Sequence, residues 1–253
     1  MRFCWWLLLG CTAPLLGQDN YEIQVYPSEV VAAHQTMVEV HSNFTFSGTK
    51  DVVDGEDPTE HALHETLEIT HGFTPWFETG FYVFTSARSG RGWEWVGDHI
   101  RPRISVPAEW KWPVGLSLSA EIGYQRRRYS SDSWTVELRP IIDKQLGRWY
   151  LAFNPAIDRS LQGLNQHRGW NFSPNVKAGY DITKKVNAGI EYYGALGPIT
   201  GFDPLSQQQQ QIVPAIDLNL SPNWEFNAGI GVGVTGGTDH LLVKMIIGYR
   251  FKR

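Results

Sequence analysis

From residue 36 onward, apolar and polar residues alternate with period two along almost the whole chain. In 114–127, Val114, Leu116, Leu118, Ala120, Ile122 and Tyr124 fall on one face, and Ser117, Ser119, Glu121, Gln125 and Arg127 on the other. The pattern recurs at Trp134–Ile142, Trp149–Asp158 and Trp170–Asp181. Successive strand side chains point to opposite faces, so this spacing predicts strands with one apolar and one polar face. No convincing helical periodicity follows residue 35.

Twelve strands are expected, near 36–47, 61–71, 76–87, 97–107, 113–127, 133–142, 148–159, 169–181, 185–195, 211–220, 224–235 and 241–252. Short connections (72–75, 107–112, 143–147, 183–184, 221–223) alternate with mostly longer ones (48–60, 88–96, 162–168, 197–210). That rhythm belongs to an antiparallel up-and-down meander, and an even strand number permits closure. Twelve strands enclose more space than an apolar core can fill, so the polar face must line a wet interior and the apolar face must meet lipid. Closure also pairs every backbone group, as hydrocarbon requires. The fold class is therefore all-β, a transmembrane antiparallel up-and-down β-barrel of twelve strands.

Composition agrees. Of 253 residues, 25 are glycine and 11 are tryptophan, and only 19% are charged. Trp76, Trp110, Trp112, Trp149 and Trp224 lie beside short turns, and Trp93, Trp95, Trp134 and Trp170 beside longer loops. Indoles prefer the headgroup level, so these predict two aromatic girdles. The net charge of −4 gives no electrostatic case for nucleic acid. Two features fit badly: Glu65 on the apolar face, and Pro102, Pro140, Pro155, Pro174 and Pro214 within strands, where proline cannot donate to a ladder.

Arg2, the apolar run Phe3–Leu9 and a second stretch ending at Leu16-Gly17 are laid out as a secretory signal peptide, 1–17. A lipoprotein reading of Leu8-Leu9-Gly10-Cys11 is the weaker alternative. Both cysteines, Cys4 and Cys11, fall in this segment, so disulfides and cysteine-based zinc sites are excluded downstream. Residues 18–35 form a periplasmic tail, a short helix or a plug, and the spacing does not choose among them.

The segments "ITHGFTPWFETGFYV", "SPNVKAGYDITKKVNAGIEYYG" and "LSPNWEFNAGIGVGVTGG" resemble the bacterial outer-membrane barrels grouped as the MetA-pathway of phenol degradation family. The resemblance covers about 36–253 and implies an outer-membrane location and solute passage, but supplies no functional residues. The last strand resembles an outer-membrane assembly signal, with Tyr249 and Phe251, but ends in Lys252-Arg253. The partners expected are outer-membrane lipid, lipopolysaccharide, the barrel-assembly machinery and a small-molecule solute; Arg126, Arg127 and Arg128 either meet lipopolysaccharide phosphates or are simply hydrated.

The charged candidates for the lumen are Glu39, Glu78, Arg101, Arg103, Glu121, Arg127, Glu137, Arg139, Lys177, Glu191, Asp217, Glu225, Lys244 and Arg250, with Glu68, Asp158 and Asp181 beside them. They describe either a polar pore that selects solutes or a salt-bridged filling. Gly231–Gly236 spells G-x-G-x-x-G, but the residues after it form another alternating strand with no helix and no acid. Gly229, Gly231 and Gly233 are therefore read as lumen glycines that leave space empty.

No cofactor and no metal site is expected. His61 and His64 are three apart, on opposite faces of a strand. The acidic 51–60 loop lacks calcium-loop spacing. His41, His64 and His99 face inward without a nucleophile motif, so a membrane-embedded hydrolase is the weakest alternative. The expected function is passive or weakly selective passage of small solutes, aromatic or apolar ones among them, with a structural barrel as the alternative.

Overall fold

The computed structural model describes residues 20–252. The segment read as a signal peptide lies outside the described residues. Twelve strands close into one antiparallel barrel, each bonded to its sequence neighbours, with the last returning to the first. They are β1 (Thr36–Ser47), β2 (Leu63–Thr74), β3 (Phe77–Arg88), β4 (Gly92–Ser105), β5 (Gly115–Gln125) and β6 (Asp132–Leu146). The second half is β7 (Trp149–Gly163), β8 (Asn171–Thr183), β9 (Val186–Ala195), β10 (Gln209–Leu218), β11 (Trp224–Gly233) and β12 (Leu241–Phe251). The only helical element among the described residues is one 3-10 turn, Ala108–Trp110.

Alternation decides which way each strand faces. In β1, Glu39, His41, Asn43 and Thr45 are buried, while Val40 and Phe46 stand exposed. Leu67, Ile69, Phe81, Ile100, Leu118, Leu151 and Ile190 continue the exposed apolar wall around the barrel. Such a surface far exceeds the few hundred Å² of apolar patch that a soluble monomer leaves in water. Lipid removes that penalty. Tryptophans at both ends are exposed, among them Trp76, Trp110, Trp112, Trp149 and Trp224 at the short turns and Trp134 at the long loops. Trp170, beside β8, is half-buried.

The two misfits resolve differently. Glu65 keeps its register and faces outward, where the hydroxyl of Ser42, its cross-strand partner, donates to it at 2.9 Å. The prolines sit where a ladder lapses. The β4–β5 pairing skips from Ile100↔Ile122 to Arg103↔Ser119 around Pro102. The β6–β7 pairing skips from Leu138↔Ile157 to Ile142↔Phe153, around Pro140 and Pro155. The β10–β11 pairing skips from Ile212↔Val232 to Ala215↔Gly229 around Pro214. Pro174 pairs with Pro155, and the β8–β9 ladder reaches only to Asn175. A proline nitrogen fits where no bond is asked of it.

Two expectations need correction. The 88–96 connection is not a long loop: β4 begins at Gly92, with Gly90 and Gly92 at positive φ, and a bulge between Phe84 and Thr85 lets the hairpin run on. The interior is also not simply wet. Residues 20–35 thread it from end to end, from Asn20, whose amide donates to Asp239 beside the long loops, to His34, whose N–H donates to Gly72 near a short turn. Tyr21 to Tyr26 are all buried. Ile23 and Val25 pack with Ala152, Tyr193, Val213 and Leu242, and Tyr21 packs with Tyr82, Phe84 and Val96. A Cβ on Gly72 would lie 2.2 Å from the carbonyl oxygen of Val31, so only glycine lets the segment come this close to β2.

Candidate functional site: a threaded lumen below an open vestibule

The inner segment is held by polar contacts with the barrel wall. Asn154 accepts from the Tyr26 N–H at 2.7 Å and donates to the Tyr26 carbonyl at 3.1 Å. Thr66 donates to the Tyr21 carbonyl at 2.6 Å, and Asp143 accepts from both the Ser28 N–H and its hydroxyl. Lys244 donates to the Ile23 carbonyl at 2.9 Å. Arg103 donates to the carbonyls of Pro27 and Glu29, both at 2.8 Å, and Glu78 accepts from the Val31 N–H at 2.5 Å. Backbone with no strand partner of its own is thereby satisfied, as a buried segment requires.

Midway down, the ring of Tyr26 is surrounded by three guanidinium groups. Arg101 lies 4.4 Å from its centroid, Arg139 5.1 Å and Arg103 5.8 Å. Each arginine has its own carboxylate: Glu68 for Arg101 at 2.6 Å, Glu78 for Arg103 at 2.6 Å, and Glu137 in a two-point contact with Arg139. On the opposite wall Lys177 reaches Glu191 at 3.0 Å and Asp217 at 2.8 Å, while Lys244 contacts Glu191 and Tyr193. Nearer the short turns, Arg250 pairs with Glu225 at 2.6 Å. Charges of both signs cancel locally, which fits weak rather than sharp discrimination between ions.

Above the segment lies a vestibule of about 520 Å³, walled by Tyr21, His64, Glu121, Gln125, Arg139 and Asp239 among others. That volume is in the range of small-molecule sites, roughly 300–1,000 Å³. His99 and Glu121 meet there at 2.5 Å, with Gly123 leaving the space that the imidazole occupies. At the mouth, the hydroxyl of Tyr129 donates to Glu94 at 2.6 Å. Burial, then that bond, pushes the phenol up to about 12.

Of the charged candidates, Glu39, Glu78, Arg101, Arg103, Arg139, Lys177, Glu191 and Lys244 are buried inside the barrel, and Glu121, Glu137, Asp217, Glu225 and Arg250 are half-buried. Arg127 is a correction. Strand β5 stops at Gln125, the chain turns through 126–130, and Arg127 is exposed with its guanidinium on the Ser131 carbonyl. Its neighbours are also engaged within the chain: Arg126 donates to the Trp95 carbonyl, and Arg128 pairs with Glu94 and Asp57. The lumen glycines leave no void. A Cβ on Gly229 would meet Val213, on Gly231 Leu242 and Gln211, and on Gly233 the Asp239 backbone. His61 is exposed and His64 buried, so they do not meet.

Sequence reasoning missed Tyr26, Tyr82, Asp143 and Asn154, which position the segment. The available signal was the alternation of "YEIQVY" with no turn before it, but alternation does not tell a strand in the wall from a strand-like filler.

Several comparisons bear on this geometry. A family model described as "Putative MetA-pathway of phenol degradation" matches residues 97–251. No curated protein matches the chain. Among solved structures, an outer membrane channel from Pseudomonas putida F1 is similar with a TM-score of 0.59 at 12% identity, covering 91% of this chain and all of that one. The KdgM porin gives 0.54 at 11% identity, covering 85% and 99%. The NanC porin gives 0.52 at 10%, covering 85% and 100%. At such identities the likeness is one of fold.

Proposed function

We propose, for a chain that belongs to the MetA-pathway of phenol degradation family, that the barrel sits in a bacterial outer membrane and carries small solutes passively, with residues 20–35 as its restriction. The observation that carries this reading is the joining of an open vestibule to a lumen closed by a non-strand segment. The solved outer membrane channel and porins with which it shares its fold support the same reading.

The walls suggest how a solute is handled. Tyr129 offers aromatic surface beside the charged groups of the vestibule, so an aromatic or apolar solute with a polar edge finds both kinds of partner. Deeper passage requires residues 20–31 to shift, because Tyr26 and its three arginines fill the cross-section they occupy. The segment is held by hydrogen bonds from the wall to its backbone, beside a small apolar cluster around Ile23 and Val25. Each such bond contributes only about 0.5–1.5 kcal/mol net, which suits an element that must seat in one place and still move.

Single-channel recording in planar bilayers tests this. The full chain should conduct weakly, and a variant lacking 20–31 should conduct several-fold more and admit small sugars into liposomes. Equal, negligible conductance in both, with folding verified by heat-modifiable gel mobility, would establish the structural alternative instead.

A further inference from the structure

We propose that Glu39, His41 and Glu68 form a binding site for one divalent ion of the zinc class, set between β1 and β2 inside the barrel. Glu39 and His41 stand two apart on β1 and so share its inner face. Glu68 is the direct cross-strand partner of Glu39 on β2. One donor atom from each residue lies within 4.8 Å of the donors of the other two. Ligands about 2.0–2.2 Å from a tetrahedral zinc ion lie roughly 3.4 Å from one another. His41 Nε2 and Glu68 Oε2 are already 3.3 Å apart. Side-chain rotation has only to close the remaining donor separations, none above 4.8 Å.

The second observation concerns what these groups lack. His41 is 0% exposed, Glu68 1% and Glu39 5%. Neither nitrogen of His41 has a hydrogen bond, and Glu39 Oε1 and Glu68 Oε2 have none. An unmet buried polar atom costs about 1–3 kcal/mol, and like charges directly opposite on a sheet repel. The other oxygen of Glu68 is occupied by Arg101 and by the Thr70 hydroxyl, both at 2.6 Å. That leaves its free lone pairs turned toward Glu39 and His41. Protonating His41 would serve Glu68 alone and leave Glu39 Oε1 and one ring nitrogen unmet. A divalent cation meets Glu39 Oε1, Glu68 Oε2 and one His41 nitrogen together, and one imidazole with two carboxylates is a donor set that zinc and its first-row neighbours accept. His41↔Thr66 lies two residue pairs and Glu39↔Glu68 four residue pairs below Asn43↔His64, whose His64 lines the vestibule.

The test uses the full chain, refolded in detergent without a histidine tag, dialysed against Zn²⁺, desalted and assayed for metal by mass spectrometry. About one tightly held ion per chain is expected. His41→Ala and Glu39→Gln should each weaken binding by about a hundredfold or more, beyond the 10–100-fold that even an outer-shell partner costs. His64→Ala and His61→Ala should bind as the parent does. Glu39→Gln keeps side-chain volume, and with the visible spectrum of Co²⁺ in the parent it serves if His41→Ala does not fold. A parent that holds no zinc, or a Glu39→Gln variant that binds as the parent does, overturns the proposal. Loss of the ion in His64→Ala overturns it as well.

Discussion

Lys244 ties three elements of the lumen together. Its ammonium group joins β12 to Glu191 and Tyr193 on β9 and to the Ile23 carbonyl of the inner segment. Replacing it by methionine removes one of the two cations that Glu191 contacts, leaving Lys177 at 3.0 Å beside the Tyr193 hydroxyl and the Asn227 amide. Removing one partner of a buried ion pair costs about 3–5 kcal/mol. Lys244→Met should therefore lower the urea midpoint of the micelle-bound barrel, and adding Glu191→Gln should restore part of the loss. An undiminished midpoint would show that Lys244 is not buried as described. At the mouth, Tyr129 titrates at about 12 against an unfolded value near 10. A raised folded pKa means that the folded state keeps the proton longer. Its contribution is thus fully present below pH 10 and is lost as pH climbs from 10 to 12. Alkaline absorbance titration of Tyr129→Phe should lose the amplitude of one phenol near pH 12 relative to the parent; an unchanged amplitude there sinks the assignment.

At the scale of strands, the prolines mark where neighbouring ladders lapse rather than where strands end. Pro140 pairs with Leu118 on β5, while the bonds on its β7 side are missing. Pro140→Ala adds an N–H with no ladder partner on that side, at about 1–3 kcal/mol. Unfolding in micelles should therefore show destabilisation, and a gain in stability would mean that the proline itself prevents the ladder from forming. The inner segment is the other element of consequence. Its hydrogen bonds reach β1, β2, β3, β4, β6, β7 and β12, so one displacement of 20–31 would loosen seven strands from the lumen side.

For the molecule as a whole, the outer wall decides the solvent. Phe46, Phe81, Ile100, Ile190 and Ile230 are each more than 40% exposed along the outer surface. Tryptophans at both rims continue that surface. In vesicles of brominated lipid, tryptophan emission should be strongly quenched, most by bromines near the headgroups and least by those at the bilayer centre. Quenching greatest at the centre would contradict the two girdles.

What was legible without coordinates follows from locality. Period-two alternation links residues two apart, so each strand face, the count of twelve and most strand limits could be read from the chain itself. Arg127 and the 88–96 connection were misplaced because a bulge and a turn shift the limits without altering the pattern around them. The filling of the lumen, the engagement of Gly229, Gly231 and Gly233, and the meeting of Glu39, His41 and Glu68 rest on contacts between distant segments. Lys244 and Ile23 are 221 positions apart, and nothing in the local spacing couples them. The sequence by itself determined that this chain closes a barrel with an apolar exterior, because burial of one face is encoded residue by residue. Only the tertiary structure decided that the barrel is threaded by its own residues 20–35, because closure must first create the interior that those residues enter.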